Sequence, residues 1–420
     1  MKPKNKLTFL IALCLVFSIN AQNKHSKLSK FPSYKGLVMA GYQGWFNCEG
    51  DGANRGWTHY AKGKKFEDGS CTIDFWPEMS EYKQQYKTPF TFEDGSAASV
   101  FSSFDESTVD LHFKWMKEYK IDGVFMQRFF EVLENPNRRK HADKVLTSAL
   151  KAANKYGIAI CLMYDIGSMD DSKYNLVKED WKHLVDDLKL TSQGKKTNYL
   201  FHNNKPLVAL WGISAGTRPS GHIPEIFDIM DFLKNDPVYG GCSIQLGVPS
   251  RWRTLGSDTK GDPRLLEAID QADIVHPWFV GRYNEANYED FRKEVIVDDV
   301  KWCKEHGKSY VPTVYPGFSW YNMKSNAISN KTPRNKGQFY WKQIAGAITS
   351  GAEMLYVAMF DEIDEGTAIM KCAHKVPVGK SVFVPIEKEV PTDHYLWLTN
   401  QAAKMLRGET PFSNTVPKRE

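Results

Sequence analysis

Eight short apolar runs, separated by longer segments of helical periodicity, restrict this sequence more than any other feature. The runs are Leu37 to Tyr42, Gly123 to Phe129, Ile158 to Tyr164, Leu207 to Trp211, Cys242 to Val248, Asp273 to Phe279, Tyr310 to Tyr315 and Met354 to Phe360. Each is near-continuously apolar, so both of its faces must be covered, as in a parallel sheet clad by helices. Between them, Thr108 to Tyr119, His141 to Tyr156, Tyr174 to Leu190, Glu225 to Leu233, Tyr288 to Glu305, Gln338 to Thr349 and Asp393 to Arg407 read as amphipathic helices. No Gly-rich phosphate fingerprint follows the first run. An α/β fold, a (β/α)8 TIM barrel, is therefore predicted over a doubly wound sheet.

The connection from the first strand to the first helix, about Gly44 to Ser107, is far longer than a usual loop. It carries Trp45, Trp57, His59, Trp76, Cys48 and Cys71. The sequence predicts a single domain, with this loop inserted over the barrel mouth like a lid. At the N-terminus, Lys2, Lys4 and Lys6 precede the apolar run Leu7 to Ile19, and Ala21 offers a small residue for cleavage. Residues 1–21 are expected to be a signal peptide and 22–420 the barrel domain, secreted or periplasmic after cleavage. Its removal takes three lysines from a formal charge of +5 and leaves +2, with no basic block suited to nucleic acid. Export permits disulfides, and Cys48 with Cys71 is the expected pair. Cys161 and Cys242, inside apolar runs, are expected to be buried thiols. A monomer without cofactor, metal or membrane span is expected.

Active sites of such barrels gather at strand C-termini. Those positions hold Tyr42, Gln43 and Trp45; Gln127 and Arg128; Tyr164 and Asp165; Trp211; Arg251 and Trp252; His276, Trp278 and Arg282; Tyr315 and Trp320. Aromatic faces suit the C–H faces of sugars, and Arg, Gln and Asp pair with hydroxyls. The mix predicts a cleft for a polysaccharide or glycan, with Tyr42, Gln43, Trp45, Gln127, Arg128, Tyr164, Asp165, Trp211, Trp278, Arg282, Tyr315 and Asp364 as binding residues. Arg128 with Asp165 also reads as a structural ion pair, and His276 as satisfying a local backbone group.

The last apolar run opens directly into Asp361-Glu362-Ile363-Asp364-Glu365-Gly366-Thr367. Acids this dense repel one another, so catalysis, a bound cation or plain solvation must account for them. Calcium is a weak reading, because the spacing lacks the EF-hand pattern. Glu362 and Glu365 fit glycosidic cleavage, which needs one protonated and one ionised carboxyl. On a helical turn their Cβ atoms stand about 5–6 Å apart, compatible with the roughly 5–5.5 Å of a retaining enzyme. An extended loop would void that inference. A barrel that binds carbohydrate without cleaving it is the alternative.

Phe360-Asp361-Glu362-Ile363-Asp364-Glu365-Gly366-Thr367 resembles the Phe-Asn-Glu-Trp-His-Glu-Gly-Thr segment of glycoside hydrolase family 99, the endo-α-mannosidases and endo-α-1,2-mannanases. Gly41-Tyr42-Gln43-Gly44-Trp45-Phe46 resembles that family's Gly-Tyr-Tyr-x-Trp-Tyr opening, and Asp122-Gly123-Val124 continues the similarity. The loosely defined family 71/99-like group is also similar. The resemblance implies an endo-acting, retaining hydrolase of α-linked glycans, and the leader adds export. It further implies that Glu362 deprotonates the sugar 2-hydroxyl, which attacks the anomeric carbon to give a 1,2-anhydro sugar. Glu365 would protonate the leaving oxygen and then activate water. Ile363 stands where the family has Trp and Asp364 where it has His, so the resemblance carries chemistry but not a mannan specificity.

Overall fold

The computed structural model describes residues 23–214, 221–324 and 326–419. The expected signal peptide lies outside them. Eight parallel strands form the centre: β1 Val38–Tyr42, β2 Gly123–Phe129, β3 Ala159–Asp165, β4 Lys205–Trp211, β5 Ser243–Val248, β6 Ile274–Pro277, β7 in two pieces, Ser309–Tyr310 and Thr313–Val314, and β8 Leu355–Val357. Neighbours in sequence are neighbours in the sheet, and β1 pairs with both β2 and β8. The break at Val311-Pro312 lets the first piece of β7 pair with β6 and the second with β8, which closes the ring. The fold is thus a (β/α)8 barrel, and each predicted strand is present.

Helices cover the strands: α1 Glu106–Glu118, α2 Pro136–Tyr156, α3 Asn175–Asp186, α4 Ile223–Asn235, α5 Arg264–Gln271, α6 starting at Tyr288–Phe291 and ending with Val297–Glu305, α7 Gln338–Thr349 and α8 His394–Leu406. Local chemistry sets their ends. The Asn135 side chain caps α2 by accepting from the N–H groups of Asn137 and Arg138, Pro136 starts the helix, and Gly157 at φ 73° ends it. Helix α5 is absent from the periodicity reading.

The insertion after β1 is no loose lid. It contains a hairpin, Tyr86–Thr91 with Ala97–Val100, turning at Asp94-Gly95. Phe46, Tyr60, Phe66, Trp76, Phe90 and Phe101 are buried in one aromatic cluster. The cluster is fastened to the segment after β8. Ile363 O accepts from the N–H groups of Asp74 and Phe75 at 3.1 and 3.2 Å, and Pro77 bridges to Cys372.

The expected Cys48–Cys71 disulfide is not formed. Both are buried free thiols with separate partners, Cys48 Sγ on Phe101 O at 3.2 Å and Cys71 Sγ on Ser381 Oγ at 3.5 Å. A polar, Gly-rich stretch places two cysteines in one region without bringing their Cβ atoms into bonding geometry. Cys161 and Cys242 are buried and free. Among the described residues, no helix is long and apolar enough to cross a membrane.

Candidate active site

Strand pairing runs past the end of β8, because Ala358 N–H donates to Val314 O and Phe360 N–H to Gly41 O. The acids that follow are buried or nearly so, and each is held differently. Asp361 Oδ1 and Oδ2 accept from the N–H groups of Gln43 and Gly44, both at 2.8 Å. That fixes the turn at the end of β1. From there Gln43 reaches across, and its Nε2 donates to Glu362 Oε1 at 2.6 Å. Glu362 Oε2 accepts from Thr367 Oγ1 at 2.6 Å.

The N–H groups of Thr367 and Ala368 close on Glu362 O at 3.2 and 3.1 Å, so Glu362 and Glu365 belong to one hydrogen-bonded turn. Asp364 Oδ2 meets the His59 ring nitrogen at 3.2 Å, while its Oδ1 is buried without a partner among the described residues. Ile363 is fully buried beneath the insertion. The oxygens of Asp361 are engaged by protein donors, and among the described residues no group of three or more His, Cys, Asp or Glu side chains is arranged to hold a metal.

Burial is the first cause of the pKa shifts. It pushes Asp361 to about 7 and Glu365 to about 8, and lifts Glu362 well above the usual carboxylate range. Repulsion from Glu365 and Asp364 adds to the shift at Glu362, and Asp364 adds to that at Glu365. Buried acids so close cannot all ionise near neutral pH, so the Glu pair retains a proton. The donors from Thr367 and Gln43 oppose the shift at Glu362 and favour its anion.

Above this turn lies a cleft of about 530 Å³. Of the predicted residues, Gln43, Trp45, Gln127, Asp165, Trp211, Trp278, Arg282, Glu362 and Glu365 line it. Trp211 and Trp278 meet edge to face at 5.7 Å. Gly247 makes room for this pair, since a Cβ there would fall 2.1 Å from Trp211 Cδ1. Trp45 stacks on His59 at 3.7 Å and on Phe129 at 5.3 Å. Gln127 is oriented by the Tyr356 hydroxyl at 2.9 Å. Burial raises Asp165 to about 7. Arg282 stands on the rim, paired with Asp258 at 2.8 Å.

Tyr42, Arg128, Tyr164, Tyr315 and Asp364 do not line this cleft. Neighbouring residues on a strand face opposite sides, so only one of each adjacent pair can face the mouth. Gln43 and Asp165 take the inner positions. Tyr42 turns outward to His112 of α1 at 2.9 Å. Arg128 is held by Asp180 of α3, with two bonds of 2.6 Å, and by Asp143 of α2 at 2.8 Å, and it borders a smaller neighbouring cavity. Its ion-pair partner is thus Asp180 rather than Asp165. Tyr164 joins the same carboxylate at 2.9 Å. The Tyr315 hydroxyl donates to Tyr283 O at 2.8 Å.

His276 is buried between Gln245 and Thr313, and Trp252 is buried on Asp299. Arg251 pairs with Glu294 at 3.3 Å. Phe129, Met163, Phe318 and Met359 line the cleft without having been marked in the sequence, where they read as core. Trp320, noted at the seventh strand end, lines it too.

Residues 271–407 match the sequence model of Glycosyl hydrolase family 99. The chain is similar to glycoprotein endo-alpha-1,2-mannosidase of Mus musculus, 20% identical over 399 residues, which covers 91% of this chain and 77% of the mouse protein. The Rattus norvegicus protein of that name is 20% identical over 373 residues, covering 83% and 70%. Among solved structures, the GH99 endo-alpha-mannosidase from Bacteroides thetaiotaomicron aligns with a TM-score of 0.63 at 16% identity, over 90% of this chain and 99% of that one, a likeness that shows the fold. The family match and the mannosidase relatives indicate glycoside hydrolase activity.

Proposed function

We propose that this chain, a glycoside hydrolase by its likeness to family 99, is an exported, endo-acting, retaining enzyme on an α-linked glycan, with Glu362 and Glu365 as its catalytic pair. The observation that carries this is the turn itself. It sets a buried Glu362 and a partly buried Glu365 under an aromatic cleft and gives donors that favour the anion to Glu362. Export rests on the leader-like character of residues 1–21. The endo mode and the α linkage rest on the mannosidase relatives.

In this reading Glu362 removes the proton of the sugar 2-hydroxyl. That oxygen attacks the anomeric carbon as the glycosidic bond breaks, and Glu365 delivers its proton to the leaving oxygen. A 1,2-anhydro sugar results. Glu365, now a carboxylate, takes a proton from water, which opens the three-membered ring while Glu362 returns its proton to the 2-oxygen. Two inversions at the anomeric carbon give retention. A Glu365 pKa of about 8 supplies the acid needed in the first half at neutral pH.

The test is a screen of the purified protein against α-mannans, α-glucans and sulfated fucans, with product lengths read out, beside Glu365→Gln. Internal cleavage by the wild type, lost in the variant while glycan binding persists, is the expected result. Undiminished turnover by the variant removes Glu365 as the acid. Binding without cleavage by the wild type makes the protein a carbohydrate-binding barrel.

A further inference from the structure

A second cavity of about 270 Å³ lies beside the cleft and shares Gln43, Trp45, Gln127 and Phe129 with it. The stacked pair Trp45 and Phe129 forms part of the partition. Its far side is built differently. Arg55 from the insertion and Arg138 from the first turn of α2 both line it. Neither guanidinium makes an ion pair among the described residues, although nearly every other arginine near this mouth does.

The acids nearby do not satisfy them. Asp51 is already held by Asn47, Cys48 N–H, Ser102 and Ala53 N–H at 2.7–3.0 Å. Glu131 lines the same cavity, one carboxylate against three guanidiniums, of which only Arg128 is already paired, with Asp180 and Asp143. His141 is spoken for by Gly44 O at 3.1 Å and Asn47 at 3.2 Å, and burial with the Arg55 charge lowers it to about 4, so it is neutral. After burial, the charge of Arg138 is the next influence that lowers the Arg55 pKa. Two unpaired cations facing one hollow repel each other, and a bound oxyanion removes that cost. The guanidinium fork matches carboxylate and sulfate oxygens in pairs.

We propose that this side cavity is a subsite for an oxyanion substituent, a carboxylate or a sulfate ester, on the glycan held in the cleft, with Arg55 and Arg138 as its ligands. It rests on the hydrolase reading for the glycan, but the anion site can be measured without turnover. Gln43, Trp45, Gln127 and Phe129 line both cavities, so a glycan in the cleft and an anion at the arginines would be neighbours across these shared residues. The subsite therefore gives preference for acidic over neutral glycans.

The first arm is calorimetry of inorganic sulfate, acetate and chloride on the wild type and on R55Q/R138Q. Sulfate or acetate should bind the wild type and bind the double variant about tenfold more weakly. The tighter of the two assigns a sulfate ester or a uronic acid. No oxyanion binding by the wild type, or equal binding by both proteins, overturns the subsite. R138Q alone, at an exposed helix position, repeats the measurement if the double variant fails to fold, with weakened binding expected and unchanged binding counting against the site.

The second arm compares kcat/KM for α-linked oligosaccharides with and without that substituent. Acidic ones should be preferred about tenfold by the wild type and not by R55Q/R138Q. Equal or faster cleavage of neutral oligosaccharides by the wild type overturns the proposal. Cleavage of neither counts against the hydrolase reading and leaves the calorimetry to decide the anion site.

Discussion

Gln43 Nε2 donates to Glu362 Oε1 at 2.6 Å, so the first strand of the barrel holds the carboxylate that follows the last. Because Asp361 grips the Gln43 and Gly44 N–H groups, the donor is itself fixed from the backbone. Replacing Gln43 by Ala leaves that grip intact and removes one donor from the Glu362 anion. The expected loss is about tenfold to a hundredfold in kcat, from the worth of a hydrogen bond to a charged group, with KM little changed. Steady-state kinetics check it.

The pH dependence follows from Glu365. In the proposed mechanism its acid form protonates the leaving group, so kcat/KM should fall as pH rises through about 8. Stability carries the same sign. The folded pKa lies above the ordinary value of 4.5, so between about 4.5 and 8 the folded state binds the proton that the unfolded chain has lost. Stability from this group is therefore complete below 4.5 and lost as pH rises to 8. Glu365→Gln should gain melting temperature relative to wild type from pH 5 to pH 8, read by thermal unfolding at both.

Arg128 tests the difference between a site residue and a scaffold one. Asp180→Ala leaves its buried guanidinium with Asp143 alone and should cost about 3 kcal/mol of stability in denaturant melts. Correctly folded variant should keep the wild-type KM for a neutral oligosaccharide, because neither group lines the main cleft and Arg128 borders only the side cavity.

Gly247→Ala should act at a distance. The added methyl needs the space of the Trp211 ring, which must turn. The expected outcome is a raised KM of about tenfold, the worth of a stacked aromatic contact, with a smaller change in kcat. Titration of Trp fluorescence with oligosaccharide gives an independent reading.

Every barrel strand was legible because burial on both faces writes a near-continuous apolar run. Helix α5 was not, since Arg264–Gln271 is short and follows a polar Gly-rich stretch that dilutes its period. The Asp94-Gly95 hairpin signal was present, but Pro89 interrupts the first strand and hides the alternation. At the site, the acids stood out because no ordinary core tolerates them. Arg128 and Tyr164 read like Gln127 and Asp165 because a strand end shows which residues gather there, while the pleat decides which of two neighbours faces inward. That parity depends on where the barrel axis lies, which one strand does not encode. Phe129 and Met163 share the inner parity with Gln127 and Asp165, yet their apolar side chains resemble any core residue.

The joining of the insertion to the segment after β8 has a consequence for how the protein comes into being. Gln43, His59 and Asp74 are synthesised long before Glu362, Asp364 and Ile363, their partners at the other end of the chain. A nascent chain that stops short of β8 leaves β1 with an open edge and no acids beneath the cleft. Such long-range pairings are the slow part of folding. The turn that joins the first strand to the last is therefore assembled last, and a chain still short of β8 carries the aromatic wall of the cleft without its acidic floor.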